Sequence, residues 1–159
     1  MAVHEVLSLL AATPERIRES AADLSPAELR ERLEASEWSI VEVLAHLRAC
    51  ADVRGGAALA ILASNHPTIR ANDPRTYVDG TDYPTLDFAT SFAAFVRQRT
   101  ELLHALSALS ADGWHRSATV TGAGKPLERD VLFYAQWVGE HERPHIRQIQ
   151  RTARAIRPA

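Results

Sequence analysis

The sequence predicts an all-α fold, a four-helix bundle with two long connecting loops. Three observations predict it: apolar residues recur at helical spacing, alternating strand-like runs are almost absent, and helix-start signals punctuate the chain. Thr13-Pro14-Glu15 sets an N-cap before a proline at a first helical position, dividing the opening pattern into Ala2 to Ala12 and Pro14 to Asp23. Ser25-Pro26-Ala27-Glu28 adds a capping-box glutamate and a turn or two of helix. Ser39 opens a long helix, with Glu42 completing a second capping box. This helix runs to about Ala63, and Gly55-Gly56 is its weak point.

Ser64 to Pro84 is rich in proline, glycine, asparagine and aspartate, so it reads as a long loop, a feature that often borders a functional site. A third helix follows from Thr85 to about Leu109. Gly113 to Pro126 forms the second loop, in which Thr119-Val120-Thr121 can pair briefly as a strand, and the last helix spans Leu127 to about Ile156. Repeats, low-complexity tracts and linkers are absent from the sequence, so one domain over residues 1–159 is expected.

Composition narrows the class of function. With 46% hydrophobic and 24% charged residues, a chain of 159 residues can bury a real core. A net charge of -2 with interspersed signs leaves no electrostatic footprint for nucleic acid. The apolar start is interrupted by Thr13-Pro14 within about ten residues, too few for a signal peptide or a membrane span. An intracellular, cytoplasmic protein without a membrane partner is expected. Cys50 is the single cysteine, which excludes an internal disulfide and a thiolate cluster; it reads as a small buried hydrophobe. Trp38, Trp114 and Trp137 read as packing residues.

The histidines carry the chemistry. His4, His66, His104 and His115 stand singly in polar or loop contexts. His141 and His145 are spaced i, i+4, which puts both imidazoles on one helix face, one turn apart. At about 100° per residue they fall within the apolar stripe of Val131, Tyr134, Val138 and Ile149, and so point inward. His46 lies near the inward arc of its own helix, with Glu42 one turn before it as an acceptor for the ring or as a further ligand. Spacing alone leaves two alternatives, a shared divalent metal or hydrogen-bonded core histidines. Pro144 falls between the paired histidines and is expected to kink the helix there.

These stretches also resemble a known family. Trp38-Ser39-Ile40-Val41-Glu42-Val43-Leu44-Ala45-His46-Leu47, the run from Arg97 to Leu109 ending in Trp114-His115-Arg116, and Gly139-Glu140-His141-Glu142-Arg143-Pro144-His145-Ile146-Arg147-Gln148-Ile149 resemble the DinB/YfiT-like superfamily of metal-binding four-helix bundles, in its short single-domain form. The resemblance implies that His46, His141 and His145 hold a divalent ion, nickel, zinc, iron or manganese, with water in the remaining positions. It also implies a homodimer. The sequence departs from the family in having Glu142 where an aspartate often follows the first paired histidine.

The activity implied is that of a metal-dependent enzyme, foremost a transferase using a low-molecular-weight thiol as partner to a small-molecule substrate. Metal-assisted hydrolysis, with Glu42 or Glu142 as general base, is the alternative, and a non-catalytic, stress-associated metal-binding module is a third. Arg70, Tyr77 and Tyr83, from the first long loop, are the expected substrate contacts.

Overall fold

Side-chain caps set several helix starts, whereas the two prolines expected to break or kink helices, Pro14 and Pro144, lie inside unbroken ones. In the computed structural model, which describes residues 1–157, the opening helix α1 spans Val3–Ala21 and passes straight through Pro14. Proline has no N–H to offer the carbonyl four residues back, here that of Leu10. That carbonyl instead accepts a hydrogen bond from Arg99 Nη1 at 2.7 Å, so the expected break at Thr13-Pro14 is healed by a distant side chain. Pro158 and Ala159, the end of the expected domain, lie outside the described residues.

The capping box at Ser39 forms as predicted. Ser39 Oγ accepts from Glu42 N at 3.2 Å, and Glu42 Oε2 accepts from Ser39 N at 2.8 Å, opening α2 (Ile40–Cys50). A π-helical turn, Ala51–Gly55, follows, and α3 (Gly56–Ala63) completes the long helical run. The weak point expected at Gly55-Gly56 is thus a local change of helix type, of a kind frequent at functional sites.

The first long loop holds more structure than expected. It contains β1 (Thr68–Arg70), the short α4 (Pro74–Asp79), whose start is capped by Asp73, and a 3-10 turn at Tyr83–Thr85. Helix α5 (Phe88–Ser107) starts later than predicted, because the Asp87 carboxylate caps it by accepting from Thr90 N at 2.8 Å. After the single turn α6 (Ala111–Trp114) come β2 (Ser117–Thr121) and β3 (Leu127–Asp130). The last helix, α7 (Val131–Ile156), therefore begins four residues late, at the cap Asp130, because Leu127–Asp130 is drawn into a sheet. β2 pairs parallel with β1 (Thr68 opposite Thr119) and antiparallel with β3 (Val120 opposite Leu127). These short strands gain their hydrogen bonds from distant partners, so local periodicity shows only the middle one.

Helix α1 packs against α5 and α7, and α2 packs against the same two. The buried core divides into two apolar clusters along these helices. One joins Val6 and Leu10 of α1 to Leu102 and Leu106 of α5 and Val131 to Val138 of α7. The other joins Ile17, Phe95, Ile146 and Ile149 to Ile40, Leu44 and Leu47 of α2. Between the clusters lies a buried polar layer. Arg99, 2% exposed, pairs with Glu142, 1% exposed, as well as with the Leu10 carbonyl. No helix among the described residues is long and apolar enough to cross a membrane.

Removing one member of a buried ion pair leaves the other charge unsolvated, at a cost of roughly 3–5 kcal/mol. Arg99→Met is expected to lose about that much stability in urea unfolding. The double variant Arg99→Met/Glu142→Leu should recover part of the loss, since no buried charge then remains.

Candidate metal centre

His46 sits on α2 one turn before Cys50, and His141 and His145 sit one turn apart on α7. Pro144 does not separate the pair: α7 runs unbroken through it, and the two rings lie with centroids 4.9 Å apart. Glu140 and Pro144 are both exposed, so the missing backbone bond falls on the solvent side, where water can replace it. Helix packing then brings His46 to the pair, at centroid distances of 5.2 Å from His141 and 4.8 Å from His145.

The imidazole nitrogens of the cluster meet at close range. His46 Nε2 lies 2.9 Å from His141 Nε2, and two lone pairs at that distance need either a proton or a metal ion between them. Cys50 Sγ lies 3.5 Å from the same His46 nitrogen. The donor atoms of His46, Cys50 and His141 all lie within 4.8 Å of one another. His46 is 4% exposed, and its Nδ1 is buried with no hydrogen-bond partner among the described residues. His145 Nδ1 faces Gln148 Oε1 at 3.2 Å; as donor to that oxygen it keeps its proton there and leaves Nε2 with a free lone pair.

Burial keeps all three rings neutral, the form that ligates metals. Desolvation, then the neighbouring histidines, push His46 down to about 4. Desolvation and His145, with Arg75 and Arg54 adding to them, likewise push His141 down to about 4. Desolvation lowers His145 as well, opposed by its bond to Gln148. The Cys50 thiol is pushed up to about 12 by burial and by Glu142. Two indoles wall the centre: Trp137 stacks on His141 with centroids 4.4 Å apart, and Trp38 stacks on His145 at 6.2 Å.

A cleft of about 420 Å³ opens onto His46 and His141, and Arg54, Asp73, Arg75 and Trp137 line its walls. A second, of about 220 Å³, reaches His46 from the side of Trp38 and Glu42. The first long loop does border the site, through Ala71 to Arg75. Arg70, Tyr77 and Tyr83 line neither cleft. Arg70 is exposed and packs beside Gly122, which turns the β2–β3 hairpin at φ +87°. The Tyr83 hydroxyl donates to Asp52 Oδ2 at 2.5 Å, with the Arg48 guanidinium 3.6 Å above its ring. Tyr77 faces the same Asp52, whose charge and hydrogen bond, after burial, raise its pKa.

Both glutamates singled out in the sequence are held by arginines. Glu42 accepts from Arg32 as well as from the Ser39 backbone, and these bonds outweigh the effect of burial and leave its pKa lowered. Glu142 is turned to Arg99. Sequence reasoning did not single out Arg54, Asp73 and Arg75, and it read Cys50 as a small buried hydrophobe, which it is, though one whose sulfur also meets His46. For Cys50 the signal was present: it stands i+4 from His46, the spacing that singled out His141 and His145.

Comparison with known proteins bears on the family and the fold. The family model for the DinB superfamily matches residues 9–149, and the chain belongs to that superfamily. Among solved structures it is similar to YfiT from Bacillus subtilis, described as a probable metal-dependent hydrolase with an unusual four-helix bundle topology. That likeness has a TM-score of 0.76 and 17% identity, and covers 97% of this chain and 87% of YfiT. No curated protein matches the sequence significantly.

The lowered histidines give the metal-free protein a pH dependence of defined sign. In the unfolded chain these rings take up protons near 6.5, and in the folded protein only near 4, so acid favours unfolding. Chelator-treated protein should lose stability progressively as pH falls from about 6.5 towards about 4. His141→Gln should make that fall shallower in urea titrations at several pH values.

Proposed function

We propose that this protein is a metal-dependent enzyme of the low-molecular-weight thiol-dependent transferase type, with His46, His141 and His145 holding a divalent ion. The observation that carries the reading is the cluster of neutral imidazoles, two with facing nitrogens 2.9 Å apart, at the floor of an open cleft flanked by arginines. A bound divalent ion supplies Lewis acidity there, lowering the pKa of a thiol or water placed against it. A thiol starts near 8.5 and water near 15.7, so a thiol needs far less help to reach its nucleophilic form.

The remaining groups fit that division of labour. Arg54 and Arg75 face the cleft as cations, suited to the carboxylates of a small acidic thiol. The Trp38 and Trp137 rings shield the histidines from bulk water and hold their planes. Glu42 and Glu142 are committed to arginines, which removes the two bases that hydrolysis was expected to use. A reducing, intracellular setting suits both a thiol substrate and the lone buried Cys50.

Hydrolysis is the second reading, favoured by the Asp73 carboxylate, which lines the cleft and can serve as a general base. Turnover of an ester or amide in the absence of any thiol selects it over the first.

Elemental analysis should find a divalent metal in the wild type and lose it in His141→Ala/His145→Ala. Metal-loaded protein incubated with several small thiols and a general electrophile should form conjugate, and the chelated protein should not. Metal-loaded protein that conjugates none of the thiols rejects the transferase. Arg75→Ala should keep the metal and raise KM for a carboxylate-bearing thiol by about tenfold, the worth of one charge-assisted hydrogen bond.

A further inference from the structure

Cys50 takes no part in the reading above, yet it lies closer to the meeting point of the imidazoles than a packing residue needs to. It is 1% exposed, and its sulfur faces His46 Nε2 at 3.5 Å. Ligands of a tetrahedral ion, with bonds of about 2.3 Å to sulfur and about 2.0–2.1 Å to nitrogen, place a sulfur–nitrogen pair roughly 3.5 Å apart. The thiol is thus already at ligand spacing from His46. Its donor atom lies within 4.8 Å of those of both His46 and His141, which also lie within that distance of each other.

We infer that Cys50 Sγ is itself a ligand of the ion held by His46 and His141, so that the centre is a mixed nitrogen–sulfur site. The inference rests on the metal-dependent reading and extends it. When the ion enters, the S–H bond of Cys50 breaks, a sulfur–metal bond forms, and the proton leaves to solvent. Thiolate beside imidazole selects zinc, nickel or cobalt over manganese, which prefers oxygen donors. Cys50 is buried while the cleft opens beside His46 and His141, so its sulfur binds from the protein side. Zinc-like ions accept a fifth ligand, and the cleft side stays free for substrate.

The test is titration of the full-length, metal-free protein with cobalt(II) chloride in buffer containing no thiol reductant. Cobalt bound by imidazoles gives visible d–d bands, and cobalt bound by a thiolate adds a near-ultraviolet charge-transfer band. Because the sequence has a single cysteine, any such band in the wild type belongs to Cys50, whether or not a variant folds. The expected result is both sets of bands in the wild type. Cys50→Ser should lose the near-ultraviolet band, keep the visible ones, and bind cobalt about tenfold or more weakly, since even outer partners of a metal site are worth that much. Visible bands without the charge-transfer band would overturn the role of Cys50 and leave the histidine site standing. No cobalt absorption at all overturns both.

Discussion

The Arg99 guanidinium is the group on which the rest of the structure depends. It lies on α5, yet it holds α1 through the Leu10 carbonyl and α7 through Glu142. Without it, Pro14 would leave an unpaired carbonyl in the interior and Glu142 would be a buried, unpaired charge. Both penalties fall on the same short stretch between the two apolar clusters, so three helices are locked in register at one level. Such a layer is costly to desolvate, and its value lies in specifying one arrangement of helices more than in adding stability.

The histidines belong to the same level. His141 stands next to Glu142 on α7, so the side chain that fixes the height of α7 against α5 and α1 also fixes where the His141 ring stands. On the opposite side, the Ser39–Glu42 capping box fixes the start of α2, and His46 follows one turn after Glu42. The histidine cluster is thus set by two local anchors, one at a helix end and one in the buried ion pair. Neutral imidazoles result from the same burial, which disfavours a second proton on either ring.

The cleft is built by other means. Besides Trp137 on α7, its walls come from pieces of another kind: the π-helical turn that carries Arg54, the start of α4 with Asp73 and Arg75, and the β2–β3 hairpin tip at Gly122. None of these belongs to a long regular helix. A rigid bundle holds the histidines, and short irregular pieces supply most of the side chains along the cleft, the usual division between scaffold and loops.

Much of this was legible in the sequence. Helical spacing gave the bundle, Ser39 with Glu42 gave the start of α2, and the i, i+4 spacing put His141 and His145 on one inward face; all three depend on neighbours within two turns. What only the tertiary structure decided is which faces meet. It brought His46 and Cys50 to the paired histidines, matched Arg99 to a carbonyl freed by a proline on another helix, turned Leu127–Asp130 into a strand, and put Arg54 and Arg75, instead of Arg70, Tyr77 and Tyr83, along the cleft. The physical reason is range. Periodicity and caps act over a few residues and settle on which side of an element a group lies, whereas the partner it finds is settled by packing between segments far apart in the chain.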